Sequence, residues 1–250
     1  MAIPGKEEFA STLRYFTRRL EVLGVDVRLG VRAAAGDLTS YDDVVVATGV
    51  LPRAATFAGA DHPKVVSYAD AISGAVTIGR RVAVVGAGGI GVDVSHLLTH
   101  VPEDLDEWMA HWGVGDSALH AGGIVEKKPR EAAREVWLLQ RKTTPIGKGL
   151  AKTSGWAHRA VLKDSGVHLV TGVTYDRVDD AGLHYSVDGT AHVLDVDHVV
   201  VCAGQESVRD LHDELVAAGV GAHLVGGADV AAELDAKRAI KQATELAARL

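Results

Sequence analysis

Between positions 82 and 99 an apolar run, Val82-Ala-Val-Val85, passes into Gly86-Ala-Gly88-Gly89-Ile90-Gly91 and then into the helix-forming stretch Val92–Thr99. An uninterrupted apolar run suits a strand buried on both faces of a parallel sheet. Parallel strands need crossover connections, so the fold class is α/β. Each glycine of the G-x-G-x-x-G spacing has a mechanical task. The first permits a tight turn, the second lets backbone approach a diphosphate, and the third allows close helix–strand packing. Amides at the start of the following helix, with its positive dipole end, complete an anion site. A glycine-rich turn alone is either such a dinucleotide site or a structural corner; its position between strand and helix is the context the dinucleotide reading requires.

The rest of the chain alternates in the same way. Glu7 to Leu23 reads as a helix with Phe9, Leu13, Phe16 and Leu20 on one face and Gly24 as its C-cap. Val25–Leu29 and Val44–Ala47 read as strands, the second ending at Thr48-Gly49. Pro52 to Thr77 reads as a connection between domains, and Glu103–Glu135 as a polar insertion containing some helix. Val136–Leu139, a helix over Ala157–Asp164, and Val167–Val170 follow. The period then drops to two. Gly182–Val187 and Thr190–Val196 flank Asp188-Gly189, a hairpin signal. Val199–Ala203 is a further buried strand ending in Gly204, and a last helix is expected from about Leu234 to Leu250.

The end of the second strand bears on cofactor choice, because a carboxylate there bonds ribose hydroxyls and a cation accommodates a 2′-phosphate. Val136–Leu139 ends in Gln140-Arg141-Lys142, without a carboxylate. The two cations suit a dianionic phosphate, so NADPH is favoured; the alternative is a solvated strand end. Thr48-Gly49 and Gly204 end buried strands in small residues, which let a ligand pass close or simply turn a corner. In Gly226-Gly227-Ala-Asp229, the aspartate either bonds ribityl hydroxyls or caps the final helix.

Other chemistries find little support. Of the 250 residues, 47% are apolar and 24% charged, a globular profile, and the net charge of −7 gives no nucleic-acid footprint. Cys202 is the chain's one cysteine, set in an apolar strand and read as a core residue; it provides neither a disulfide pair nor a cluster ligand set. The 12 histidines show no metal-site spacing, and no G-x-S-x-G elbow occurs. With no signal peptide and no apolar run near the roughly 20 residues of a membrane span, a soluble, cytoplasmic protein is expected, without membrane or nucleic-acid partners.

The chain closely resembles the C-terminal portion of the bacterial NADPH-dependent 2,4-dienoyl-CoA reductases. The resemblance runs along essentially the whole chain, through Ile3–Phe9, Asp61–Lys64, Gly86–Gly91, Leu139–Lys142, Lys152–Trp156, Cys202–Glu206 and Glu233–Arg238. It implies a Rossmann-like NAD(P)-binding domain with a parallel sheet and a β-meander, inserted in an FAD-binding domain. In that family a (β/α)8 barrel carries FMN and a 4Fe–4S cluster. Hydride passes from NADPH to FAD, and electrons then reach FMN and the dienoyl thioester. By resemblance, Gly86, Gly88, Gly89, Ile90 and Gly91 with Arg141 and Lys142 hold NADPH. Thr48, Gly49, Gly227 and Asp229 line FAD, and Gly204 and Gln205 lie near the nicotinamide–flavin contact.

Set against that architecture, the chain reads as an FAD-domain segment (1–75) lacking its first strand–turn–helix, an NADPH domain (76–198) and a second FAD-domain segment (199–250). The barrel, with its FMN and 4Fe–4S cluster, has no counterpart here. FAD is therefore expected to bind weakly, and a separate FMN/iron–sulfur barrel chain is the expected partner. The competing reading is a non-catalytic nucleotide-binding module that docks on such a barrel.

Overall fold

The computed structural model describes residues 2–232 and 236–250. Along the chain run α1 (Ala10–Val22), β1 (Asp43–Val46), β2 (Val50–Pro52), β3 (Val65–Ser67), α2 (Tyr68–Ser73), β4 (Arg81–Val85), α3 (Gly89–Thr99), α4 (Leu105–Trp112), β5 (Glu135–Leu139), α5 (Gly155–Asp164) and β6 (His168–Val170). They are followed by β7 (Val173–Asp179), β8 (Gly182–Val187), β9 (Thr190–Leu194), β10 (His198–Val201), β11 (Gln205–Ser207), α6 (Asp210–Ala217), β12 (Gly221–Leu224) and α7 (Ala236–Ala247). The chain forms two compact units: Met1–Phe9 with Ala54–Ala203, and Ala10–Arg53 with Gly204–Leu250.

In the first unit a five-stranded sheet has the order β3-β10-β4-β5-β6, every pair parallel. Alternation along β4 divides its side chains between two cores. Val82 and Val84 join Val92, Leu98, Val136, Leu138, Leu162 and Val200 on the helical face. Ala83 and Val85 join Leu139, Val173, Val178, Leu183 and Val196 on the other face, which the antiparallel meander β7-β8-β9 covers. A strand buried on both sides has no polar face to keep, which is why the sequence there is continuously apolar. The meander turns at Asp188 (φ 49°) and Gly189 (φ 78°), the left-handed pair that a type I′ hairpin requires.

The insertion contains α4, opened by a capping box in which Asp104 accepts from the Glu107 amide at 2.8 Å and Glu107 accepts from the Asp104 amide at 3.1 Å. Its buried His111 lies 2.5 Å from the Asp164 carboxylate at the end of α5, which ties the insertion to the sheet's helical layer.

In the second unit β1 and β12 pair in parallel, Asp43 opposite Gly221 through Val46 opposite Leu224, and β2 and β11 pair antiparallel. Val46, Leu215, Val225 and Ala228 are its buried apolar side chains. Helix α1 has no buried residue, and Leu13, Phe16 and Leu20 on its expected apolar face are all exposed; Phe9, also exposed, precedes the helix in a 3-10 turn and belongs to the first unit.

Several expectations need correction. Val25–Leu29 is not a strand: its side chains are apolar at alternate positions, but no strand among the described residues offers it a ladder. The segment 52–77 is more than a connection, since it supplies edge strand β3 and helix α2, the latter capped by Ser67 Oγ accepting from the Asp70 amide at 3.1 Å. The compact units divide after 9, 53 and 203, with both β3 and β10 inside the five-stranded sheet. The start of the last helix at Leu234 lies outside the described residues, as do 233–235 of the Glu233–Arg238 segment. No helix of the described residues is long and apolar enough to cross a membrane.

Leu138, fully buried, is expected to lose about 2–5 kcal/mol on replacement by alanine, whereas Phe16→Ala on exposed α1 is expected to stay within about 0.5 kcal/mol; urea unfolding of the two variants checks this. Burial also pushes the Cys202 thiol up to about 12, so it stays protonated at neutral pH. Alkylation by iodoacetamide is expected to be at least tenfold slower in native protein than in urea.

Candidate functional site

Strand β4 lies at the centre of the sheet, between β10 and β5, and the chain leaves its carboxyl end directly into the glycine turn. Ligands of open α/β sheets bind in the crevice outside the carboxyl ends of the strands. The register Val82 opposite Val136 through Val85 opposite Leu139 makes β5 the neighbour of the fingerprint strand and brings Gln140-Arg141-Lys142 to the same end of the sheet. The long insertion does not disturb this pairing.

Each glycine of the turn has a measurable environment. Gly86 has φ 105°, and a Cβ there would stand 2.7 Å from the Cys202 carbonyl oxygen at the end of β10. At Gly91 a Cβ would stand 1.8 Å from the Gly86 carbonyl oxygen, so the start of α3 rests directly on the turn. By contrast, a Cβ on Gly88 or Gly89 would meet no atom within 4 Å. The turn is therefore closed by protein on one side and open on the other. The first intrahelical bond runs from the Val92 amide to the Gly88 carbonyl at 3.0 Å, so the amides of Gly89, Ile90 and Gly91 precede it, and no side chain caps the helix. Open space, unclaimed first-turn amides and the positive helix end are the properties a diphosphate needs.

Beyond β5, the Gln140 side-chain amide donates to the Lys142 carbonyl at 3.1 Å and to the Thr144 carbonyl, fixing the loop that carries the two cations. Neither Arg141 nor Lys142 pairs with a carboxylate among the described residues. Arg141 lines a cavity of about 350 Å³ with Thr56, Phe57, Thr174 and Tyr175. The buried Tyr175 hydroxyl has no hydrogen bond of ordinary geometry, and it lies near the Gly86 amide and the Arg141 charge. Desolvation pushes its pKa above the usual tyrosine range, so it remains a neutral donor. The loop-fixing role of Gln140 and the place of Tyr175 have no sequence signal, since a polar residue after a strand and a tyrosine within one carry no distinguishing pattern.

The remaining candidates lie in the second unit. Thr48 Oγ1 donates to the Val208 carbonyl at 2.6 Å, and the Val208 amide donates to the Gly49 carbonyl at 3.1 Å. Gly204 accepts from the Arg53 amide at 3.1 Å, and the Arg53 guanidinium donates to the Gln205 carbonyl, also at 3.1 Å. The 226–229 loop is gripped from three sides. Ser207 Oγ donates to the Gly227 carbonyl at 2.7 Å, Arg209 donates to the carbonyls of Ala228 and Asp229, and Gln242 of α7 accepts from the Gly226 amide at 2.8 Å. The Asp229 carboxylate accepts from the Gln242 side-chain amide at 2.8 Å. Asp229 lies seven positions before Ala236, the first residue of α7, and so is not that helix's N-cap. The structure thus gathers Gly86–Gly91, Arg141 and Lys142 in one unit and Thr48, Gly49, Gly204, Gln205, Gly227 and Asp229 in the other.

No cluster of three or more metal-ligating side chains occurs among the described residues. The pKa of His96 is pulled down to about 4, chiefly by desolvation and then by the neighbouring His100.

Comparison with known proteins agrees with this architecture. The chain is similar to a metal reductase of Desulforamulus reducens, 24% identical over 224 residues, which cover 86% of this chain and 32% of the relative. It is also similar to a cinnamate reductase of Clostridium sporogenes, 23% identical over 226 residues, 90% of this chain and 29% of the relative. The chain therefore spans about a third of the length of these relatives. Among solved structures, a 2-naphthoyl-CoA reductase in complex with 2-naphthoyl-CoA superposes with a TM-score of 0.79 at 20% identity, over 100% of this chain and 33% of that one, a likeness of fold. Residues 10–234, well over half of the chain, match the family described as pyridine nucleotide-disulphide oxidoreductase, and the chain belongs to that family.

Proposed function

We propose that this chain is the electron-input part of a longer flavin-dependent reductase, holding NADPH at Gly86–Gly91 and FAD along Thr48-Gly49 and Gly227–Asp229. The observation that carries the reading is the one-sided turn. Protein closes on Gly86 and Gly91, while Gly88 and Gly89 face open space at the start of α3. In this reading the amides of Gly89, Ile90 and Gly91 donate to the diphosphate, and the missing side chain of Gly88 admits it. The Arg141 fork takes the 2′-phosphate bidentately, and Lys142 adds a second positive charge. Gly204 and Gln205 lie near the contact of nicotinamide and flavin. When bound, the nicotinamide supplies a hydride and the flavin accepts it.

For the complete protein, we propose a reductase of the 2,4-dienoyl-CoA type, cytoplasmic, with electrons leaving through a 4Fe–4S cluster to FMN and a conjugated acyl thioester. The barrel that carries those groups is then either further sequence or a separate chain. The sequence resemblance supports this, as do the likenesses to a cinnamate reductase and a 2-naphthoyl-CoA reductase, whose names describe an unsaturated acid and an aromatic acyl thioester.

Calorimetric titration with NADPH and NADH tests the nucleotide assignment. NADPH is expected to bind more tightly, and Arg141→Ala is expected to weaken NADPH by roughly tenfold or more while leaving NADH unchanged, the loss of charge-assisted bonds worth about 1.5–3 kcal/mol. Gly88→Val is expected to lower affinity for both nucleotides at least tenfold without shifting the urea midpoint, because the protein leaves space for the new side chain. Equal affinities, unaffected by Arg141→Ala, would refute the NADPH assignment. Turnover of NADPH by ferricyanide with FAD supplied separates electron input from a silent docking module: steady oxidation supports the first, and none at saturating FAD and NADPH supports the second.

A further inference from the structure

A cavity of about 730 Å³ opens among α3, α4 and α5, and none of Gly86–Gly91, Arg141 or Lys142 lines it. That volume lies within the range of small-molecule sites, about 300–1,000 Å³. Its floor is a strip of small residues on α5, with Ala157, Ala160 and Val161 at helical spacing. Its walls are indoles. Trp108 and Trp112, one turn apart on α4, hold their rings 6.5 Å apart at 46°, and Trp156 opens α5. Trp108 is 44% exposed and Trp156 is 65% exposed, so much aromatic surface faces solvent at the cavity.

Carboxylates outnumber cations among the lining residues: Glu7, Glu103, Asp104 and Asp164 stand against Arg130, beside His96 and His100. Asp164 is already paired with His111 and Lys127, and Asp104 caps α4. Arg130 is committed to Glu103 at 2.7 Å, and Lys127 to Asp164 at 3.3 Å. The Lys127 ammonium also stands 4.6 Å from the centre of the Trp112 ring, so this wall already holds a cation of the chain's own. The face of an indole attracts cations through its quadrupole, most strongly where water is excluded. An anion would meet carboxylates with no uncommitted lysine or arginine among the lining residues.

We propose that the cavity among α3, α4 and α5 binds a small organic cation with an aromatic body, its charge against the Trp108 and Trp156 rings and the carboxylates, its ring on the Ala157–Ala160–Val161 floor. The site is independent of the proposed NADPH site.

Three of the chain's four tryptophans line the cavity, so intrinsic fluorescence of the full chain reports occupancy. The probes are benzyltrimethylammonium, the neutral benzyl methyl ether and the anionic phenylmethanesulfonate. Saturable binding of the cation is expected, at least tenfold tighter than either other probe. Trp108→Ala is expected to weaken it about tenfold. Ala160→Leu, which fills the floor, is expected to weaken it similarly, and Trp108→Phe to retain most of it. Circular dichroism and NADPH affinity, unchanged in all three variants, show that the fold is intact. Equal binding of the three probes would overturn the proposal by showing apolar adhesion alone. So would cation binding unmoved by Trp108→Ala and Ala160→Leu, or the absence of saturable binding by the cation.

Discussion

The approach of Gly91 to the Gly86 carbonyl oxygen sets the geometry of the first unit. A Cβ at Gly91 would come within 1.8 Å of that oxygen, so α3 starts as close to the end of β4 as backbone allows. This contact aims the helix's first amides across the carboxyl end of β4. It also seats Val92, Val94 and Leu98 against the helical face of β4, β5 and β10. The Cys202 carbonyl, at the end of β10, packs against the turn at Gly86. Packing and chemistry therefore depend on the same few atoms: the turn is tight because the core demands it, and open at Gly88 and Gly89 because nothing in the protein fills that side.

The sheet's two faces have different partners, with consequences for the site. Helices cover one face and the meander covers the other, and through Tyr175 the meander brings a neutral hydroxyl next to both the fingerprint turn and Arg141. The insertion lengthens the chain between β4 and β5 without disturbing their register, because its own helix is capped and fastened to α5 through His111 and Asp164. The same insertion supplies Trp108 and Trp112, two of the three tryptophans of the second cavity, so a segment that adds nothing to the sheet adds a surface with its own chemistry.

Much of this was legible in the residues. Val82–Val85 announced a doubly buried strand, Asp188-Gly189 a hairpin, and Gly86–Gly91 a strand–turn–helix; local chemistry settles each of these. What escaped depends on distant partners. Val25–Leu29 has the composition of a strand but lacks a ladder, whereas Gly221–Leu224, poor in β-formers, becomes one because β1 lies beside it. Val65–Ser67 looks like linker until β10 pairs with it. At the candidate site the glycines and cations were visible. The supports of the Arg141–Lys142 and 226–229 loops, Gln140 and Gln242, were not, because a glutamine's role is set by the backbone it happens to meet.

The claim on which the functional reading rests is that a nucleotide lies on the first turn of α3 and against the loop after β5. Amide hydrogen exchange of the chain with and without saturating NADPH tests it most directly. Protection on NADPH addition is expected to concentrate in 86–92 and 140–144, with little change in α4 and α5. Unchanged exchange in 86–92 under saturating nucleotide, or protection confined to other segments, would contradict it.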